Sequence, residues 1–188
     1  YQFDTTDRLT QVAYPDKTTT YTYDPAYNRL TERTLNATAT ETDKSYAYNN
    51  RNQLTSITDT LNSANNVSYA FDVNGNQTQK TKSGVTTTFA YDVKDQLLSV
   101  REGASVLGVF AYDYQGLRVV KDMGGSTVRY TYDDKSVLLQ TDISGQTIAK
   151  YDYGTNRLLS LTHTTEGRQF YLFDALGSVS NLTTPAGA

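Results

Sequence analysis

The chain has 188 residues and a formal net charge of -3, and its lysines and arginines are scattered singly. Nucleic-acid binding needs a clustered basic face, so this charge pattern argues against a nucleic-acid partner. No stretch approaches the roughly 18 consecutive apolar residues of a membrane-spanning helix, and the chain has no cysteine for disulfide bonds or thiolate chemistry.

The composition favours β-strands. Tyrosine occurs 16 times and threonine is the most frequent residue type, and both fit the pleated, half-buried surface of a sheet. Good helix formers are scarce, and no window has a long apolar period of 3.6 residues. The sequence therefore predicts an all-β protein with almost no helix.

A tyrosine-aspartate motif recurs from the first residue of the chain, where it reads Tyr1-Gln2-Phe3-Asp4. Its fourth position falls at residues 4, 24, 49, 72, 92, 113, 133, 154 and 174, which gives nine copies with a mean period of about 21 residues. This period predicts a repeat array over residues 1-188. The residues assigned to the structural repeat motif are Tyr21, Tyr23, Asp24, Tyr46, Tyr48, Tyr69, Phe71, Asp72, Gly75, Phe89, Tyr91, Asp92, Phe110, Tyr112, Asp113, Gly116, Tyr130, Tyr132, Asp133, Tyr151, Tyr153, Tyr171, Phe173, Asp174 and Gly177.

Each copy of the motif predicts a β-hairpin. Its two aromatic residues are two positions apart, so on a strand they share one face and form an aromatic ladder. The aspartate can accept hydrogen bonds from backbone N–H groups two or three residues on, and the following glycine or asparagine tolerates positive φ. We expect about nine antiparallel hairpins to pair edge to edge in one curved, twisted sheet, a partial shell or open barrel-like strip.

A second class of turn is expected to join one hairpin to the next. Four short connections suit tight turns, namely Ser83-Gly84, Gly124-Gly125, Ser144-Gly145 and Glu166-Gly167. Two longer polar stretches without glycine, 36–43 and 60–66, predict looser connections.

The Tyr-x-Tyr-Asp signature, followed by Gly or Asn and then Arg/Gln-Leu, resembles the YD repeats of bacterial rearrangement hotspot (RHS) proteins over the whole chain. The run from Phe170 to Val179 resembles the RHS-associated core signature, so residues 130-182 are expected to be RHS-core-like terminal repeats. Related repeats of toxin-complex C subunits and animal teneurins form a hollow shell.

This resemblance implies a structural wall segment of a secreted or cell-surface bacterial protein, in which the shell encapsulates a C-terminal toxin used in bacterial competition. The sequence ends before the Asp-Pro-x-Gly stretch at which such shells cleave themselves. We therefore expect neither self-cleavage nor a toxin within these residues. The expected partners are the flanking repeats of the parent chain and the encapsulated toxin.

No residue pattern points to an enzyme. His163 is the only histidine, and we expect it to be an exposed loop residue rather than a general base. The motif aspartates recur in most repeats, which favours a turn role over catalysis or metal binding. The sequence therefore predicts no catalytic residue, no cofactor and no metal site.

Two further interactions remain open at this point. Tyrosine rings stack on sugars, so an extracellular module that binds carbohydrate or a cell surface is the alternative function. Strand edges left unpaired at either end of an array also predict edge-to-edge self-association.

Overall fold

The computed structural model describes residues 1–155 and 157–186, which form eighteen β-strands. The predicted array over 1–188 therefore includes three positions, 156, 187 and 188, that lie outside the described residues. Within the described residues the only helical segment is a 3₁₀ turn at Ser63–Asn65. The predicted all-β fold is confirmed.

Each copy of the motif contributes the end of one strand. The eighteen strands therefore follow the repeat of the sequence. They are β1 (Gln2–Phe3), β2 (Leu9–Ala13), β3 (Lys17–Tyr23), β4 (Arg29–Asn36), β5 (Thr40–Tyr48), β6 (Leu54–Asp59), β7 (Val67–Phe71), β8 (Gln77–Lys82), β9 (Val85–Tyr91), β10 (Leu97–Glu102), β11 (Ser105–Tyr112), β12 (Arg118–Met123), β13 (Ser126–Asp133), β14 (Ser136–Thr141), β15 (Thr147–Tyr153), β16 (Leu158–His163), β17 (Gly167–Phe173) and β18 (Val179–Thr183).

The chain divides into two units. The first comprises Tyr1–Ala90 and Arg101–Ser105, and the second comprises Tyr91–Val100 and Val106–Ala188. In the first unit, each strand from β1 to β9 pairs antiparallel with the next strand in sequence. In the second unit, the strands from β11 to β18 pair in the same way. The predicted array of antiparallel hairpins is thus confirmed.

A β-bulge recurs beside the turns. In the β11–β12 hairpin, Ala111 faces Val120 whereas Tyr112 faces Arg118, so Val119 is an extra residue on the return strand. The same one-residue shift, always on the second strand, occurs in ten of the described pairings. Such a bulge disrupts the ladder locally and increases strand twist.

The ladder between one hairpin and the next stops short of the aspartate turns. Between β4 and β5 the last pair at that end is Thr31 with Ser45, although β5 continues to Tyr48. Between β12 and β13 it is Val120 with Arg129, although β13 continues through the aromatic motif. We call the pairing of two adjacent strands from neighbouring hairpins a junction, and the end of a junction beyond its last strand pair the fork.

Very little of the array is buried. Val12 and Ala149 are the buried hydrophobic residues among those described, and the largest fully buried side chain is Ser160. The accessible surface is 12305 Å², whereas a compact monomer of 20.9 kDa exposes about 9,000 Å². Most motif aromatics are half-buried, so the stabilising contacts lie along a face of the sheet rather than between two layers.

The prediction of a loose connection at 36–43 is wrong. Strands β4 and β5 extend into this stretch and leave only a short turn between Asn36 and Thr40. The Asn36 side-chain oxygen accepts hydrogen bonds from the backbone N–H groups of Thr38 and Ala39. The extra residues therefore lengthen the strands instead of forming a loop.

The looser connection predicted at 60–66 is present, since seven residues separate β6 from β7, but hydrogen bonds order it. Asp59 Oδ1 accepts the N–H groups of Leu61 and Asn62, and its Oδ2 accepts from the Asn65 side-chain amide at 2.8 Å. This amide holds the pKa of the Asp59 carboxyl below its usual value. One buried carboxylate thus organises the whole connection.

Two of the predicted tight turns are confirmed. Ser83-Gly84 and Gly124-Gly125 each connect directly paired strand ends, and all four residues have positive φ, as in a type I′ turn. Ser144-Gly145 is not a tight turn, because it lies within a wider turn that begins at Asp142. The last predicted tight turn is instead a three-residue turn at 164–166, with Gly167 as the first residue of β17.

The type I′ turn at Gly125 gives a test of the backbone requirement. Its φ is +88°, and a Cβ added there would meet no atom within 4 Å. We expect Gly125→Ala to lower the free energy of unfolding by about 1 to 2 kcal/mol, because an L-residue is strained at positive φ. Urea denaturation measures this. Gly125→Asn is the control and should cost less, since asparagine tolerates this conformation; equal losses would contradict the explanation.

Candidate functional site: the aspartate turns and the forks

The turn at Asp113 shows the geometry that the motif builds. The Asp113 N–H donates to the Leu117 carbonyl at 2.9 Å, and the Gly116 N–H donates back to the Asp113 carbonyl at 3.1 Å. Asp113 Oδ1 accepts the N–H groups of Gln115 and Leu117, both at 2.9 Å. Gly116 has a φ of +86°. These features define a turn followed by a left-handed residue and a bulge.

The same turn occurs eight times among the described residues. In every copy the side-chain oxygen of the first residue accepts the N–H of the residue four positions on, and the residue three positions on has positive φ. The sequence analysis expected hydrogen bonds to N–H groups two or three positions on, so the bond to the fourth was missed. The eight first residues are Asp4, Asp24, Asn49, Asp72, Asp92, Asp113, Asp142 and Asp174.

Two copies of the motif depart from this turn. Asp133 is the last residue of β13, where it faces Ser136 across a two-residue turn, and Asp134 carries the positive φ. Asp133 therefore does not begin an aspartate turn, and the one at Asp142 lies at the opposite end of β14. In the degenerate copy that ends at Gly154, the Gly154 N–H donates to the Arg157 carbonyl at 2.9 Å.

Hydrogen bonding lowers the pKa of the carboxyls at Asp24, Asp72 and Asp142. The Asn28 amide donates to Asp24 Oδ2 at 2.9 Å and lowers the pKa of Asp24. The Asn76 amide does the same for Asp72. At Asp142, the Ser144 hydroxyl is the main cause of the lowered pKa. These three turns are therefore held most strongly when their carboxyls are charged.

An arginine that follows the turn fills the fork with its side chain. The Arg29 guanidinium lies over the rings of Tyr46, at 4.4 Å, and Tyr21, at 5.7 Å. Arg29 Nη1 pairs with Glu32 at 3.0 Å, and the Tyr46 hydroxyl donates to the same carboxylate. Burial raises the pKa of Tyr46 to about 12. The stacking of Arg29 on Tyr46 and the hydrogen bond from Tyr46 to Glu32 thus join one hairpin to the next.

Similar stacking occurs at other junctions. Arg8 lies over Tyr23 and Tyr27 at 5.2 and 5.0 Å, and its Nη1 donates to the Asp24 carbonyl at 2.8 Å. Arg118 lies over Phe110 and Tyr130 at 5.7 and 5.4 Å. The motif rings are therefore engaged by neighbouring side chains.

The second aromatic residue of the motif reaches across the fork. In five copies it is a tyrosine whose hydroxyl donates to a backbone carbonyl at the start of the return strand of the preceding hairpin. Sequence analysis did not find these bonds, because they join residues 14 to 19 positions apart. The bonds run from Tyr23 to Leu9 (2.7 Å), Tyr48 to Arg29 (3.0 Å), Tyr112 to Leu97 (3.1 Å), Tyr132 to Arg118 (2.8 Å) and Tyr153 to Val137 (3.0 Å).

A polar cluster on the other face was also missed. Asp152 stands between the two tyrosines of its motif, where most copies have alanine or threonine. Its Oδ2 accepts from the Ser160 hydroxyl at 2.9 Å and from Arg168 Nη2 at 3.4 Å. Arg168 also donates to Ser160 and lies over the ring of Phe170. The unusual aspartate was the available sequence signal for this cluster.

His163 is not an exposed loop residue. It is the last residue of β16, is half-buried, and its Nδ1 contacts the Thr165 hydroxyl at 2.9 Å. Within residues 1–155 and 157–186, no group of three or more His, Cys, Asp or Glu side chains is placed to hold a metal ion. No helix in the same residues is long and apolar enough to cross a membrane.

The hairpin array, its recurring turns and its aromatic motif define an RHS/YD-repeat protein. The sequence model of the Teneurin YD-shell family matches residues 26–173. The chain belongs to this family, and the resemblance found in the sequence is confirmed. A structural role in a YD shell follows from this membership. A comparison with curated protein sequences finds no match.

Solved structures share the fold. The crystal structure of TcdB2-TccC3 without its hypervariable C-terminal region matches 94% of this chain with a TM-score of 0.54 and 13% identity. Those of TcdB2-TccC3-Cdc42 and TcdB2-TccC3-TEV match 93% and 95% of it, with TM-scores of 0.52 and 0.51 and identities of 13% and 14%. The chain spans 12% of the length of each matched chain. At these identities the likeness concerns the fold alone.

The turn at Asp113 gives a local test of the motif. Asp113→Ala removes two backbone hydrogen bonds worth about 0.5 to 1.5 kcal/mol each, so the free energy of unfolding should fall by about 1 to 3 kcal/mol. Asp113→Asn keeps an acceptor oxygen, as Asn49 does in its own turn, and should lose less. Because repeats contact mainly their neighbours, hydrogen exchange should increase most near residues 113–117. Equal changes along the whole chain would contradict a repeat array.

The lowered carboxyl pKa values give a pH dependence with a defined sign. The unfolded-state pKa of aspartate is about 3.9, and those of Asp24, Asp72 and Asp142 are lower in the folded state. Their stabilisation is therefore fully present above about pH 4 and is lost as the pH falls through the folded-state values. Urea denaturation between neutral and acid pH should show this decline. Asp72→Asn, which cannot titrate, should show a shallower one; parallel curves would contradict the assignment.

Proposed function

We propose that this chain is a wall segment of a secreted bacterial RHS/YD shell that encapsulates a C-terminal toxin domain, and that it acts through its structure rather than as an enzyme. Its partners are then the flanking repeats and the enclosed domain, and residues 130–182 are the terminal, core-like repeats. The family match supports the shell role. The matched crystal structure of TcdB2-TccC3 without its hypervariable C-terminal region supports the view that a variable region follows repeats of this kind.

The observation that carries the proposal is the absence of a central core among the described residues. Apart from Val12 and Ala149, the hydrophobic side chains there are half-buried or exposed. A protein that works as a wall needs a sheet that can be lengthened by adding hairpins, each of which contacts its neighbours. This array has that property, since the same turns, bulges and forks recur in both units.

The carbohydrate-binding alternative is less well supported. Stacking on a sugar needs an open aromatic ring face. Apart from those of Tyr1, Phe3 and Tyr153, the motif rings are half-buried, and those of Tyr21, Tyr46 and Tyr130 lie against arginine side chains. Cell-surface location, use in bacterial competition and edge-to-edge self-association stay predictions.

Protection of an enclosed protein tests the proposal directly. The complete gene product that contains this sequence would be produced with a small folded reporter fused after the repeats and then treated with a nonspecific protease. We expect the reporter to be cut about tenfold more slowly than free reporter, because cleavage requires opening of the shell.

The control is the same reporter attached through the same linker to an unrelated soluble protein. Denaturant at a concentration that unfolds the repeats, but not the reporter, should remove the protection. Cleavage at the control rate before any denaturant is added would overturn the proposal.

A further inference from the structure

Each junction between two hairpins is closed by the chain at one end only. Strands β4 and β5 are joined by the turn that follows Asn36, while at their other end each strand belongs to a separate aspartate turn. The ladder stops at Thr31 and Ser45. The fork beyond this pair has no cross-strand ladder to hold it, so side chains must do so.

The tyrosine hydroxyl bonds lie at these forks. Tyr48 spans the β4–β5 fork and donates to the Arg29 carbonyl at 3.0 Å. Arg29 directly precedes the extra residue of its bulge, Leu30. Leu9, Arg118 and Val137, which accept from tyrosines at other forks, also directly precede a bulge residue.

Backbone carbonyls need a hydrogen-bond partner, and a bulge interrupts the ladder that would supply one. The tyrosine hydroxyl supplies a donor at this point. It also links two hairpins whose strands have already separated. One hydrogen bond thus provides a donor for the carbonyl beside the bulge of one hairpin and also helps to fix the position of the next hairpin.

The β6–β7 junction in the first unit lacks this bond for a chemical reason. Its second motif aromatic is Phe71, which has no hydroxyl, and the residue equivalent to Arg29 is Leu54, which pairs with Tyr48 and precedes the bulge residue Thr55. The strand pairing here consists of two positions, Ser56 with Ser68 and Ile57 with Val67, compared with five between β4 and β5.

Other contacts at this junction lie at its ends. The Gln53 side-chain amide donates to the Gly75 carbonyl at 3.3 Å, and Arg51 donates to the Val73 carbonyl. Both contacts join turn tips beyond the strands. The centre of the β6–β7 junction is therefore held by its two paired positions.

We propose that the β6–β7 junction is the place where the first unit opens, because its fork lacks the tyrosine hydroxyl bond that spans the β2–β3 and β4–β5 forks of that unit. A tyrosine at the second motif position holds the two strands of a fork together through a hydrogen bond, whereas Phe71 cannot form this bond. The inference concerns the array itself and does not depend on what the shell encloses.

Hydrogen exchange resolved by peptide mass spectrometry tests this in the unmodified chain first. Amides of Leu54–Asp59 and Val67–Phe71 should exchange faster than those at the β4–β5 junction. A gain-of-function variant follows at Phe71, which lines an open pocket together with Leu54, Tyr69 and Gln77. Phe71→Tyr should slow exchange at β6–β7 roughly two- to tenfold, as expected for one added hydrogen bond.

Matched controls separate the bond from a general effect of hydroxyls. Phe89→Tyr adds a hydroxyl at the first motif position of the next repeat and should leave β6–β7 exchange unchanged. Tyr48→Phe should speed exchange at β4–β5 by a similar factor, whereas Tyr69→Phe, at a first motif position, should not alter β6–β7.

Three results would overturn the proposal. One is equal exchange at the β6–β7 and β4–β5 junctions in the unmodified chain. The others are a Phe71→Tyr variant with unchanged exchange and a Tyr48→Phe variant whose β4–β5 junction stays as protected as before. The two substitutions differ by one hydroxyl from the natural residues, so a loss of folding would not obscure the outcome.

Discussion

The forks are the constraint on which the remaining structure depends. A hairpin array needs neighbouring hairpins to pair, yet the bulge beside each aspartate turn twists the strand and the ladder between hairpins ends early. The backbone groups left there must find other partners. Tyrosine hydroxyls and arginine side chains supply these contacts. The Arg29 carbonyl accepts a hydrogen bond from the Tyr48 hydroxyl, and the Arg29 guanidinium lies over the Tyr46 ring.

This constraint explains the order of residues in the motif. The two aromatics are the last residues before the turn, so they lie in the fork, and the aspartate follows because it must accept the N–H groups that open the return strand. The arginine of the return strand then lies against the rings of its own hairpin and of the next, as Arg118 does. A change in one position therefore affects three elements: a turn, a bulge and a neighbouring hairpin.

The sequence predicted the parts of the fold that have a local signature. The spacing of Tyr21 and Tyr23 predicted a strand with an aromatic face, and Asp24 predicted the turn. The bulge at Leu30 could not be predicted, because one extra residue changes neither composition nor the alternation around it. The wide turn at Asp142 was missed because Ser144-Gly145 alone resembles a tight turn, although the carboxylate that sets its type lies two residues earlier. The fork contacts depend on strand pairing and have no local signal.

A single-layer sheet gains its stability in a different way from a globular domain. Since hardly any side chain among the described residues is fully buried, each contact contributes only part of the free energy available from complete burial. Stability is then a sum of intrinsic hairpin terms and junction terms. In such a sum the weakest junction, not the average one, determines where the array first separates. Substitution of the tyrosine at the second motif position by phenylalanine is a small chemical change, yet it removes a hydrogen bond that spans a fork, so by our proposal this position sets which junction separates first.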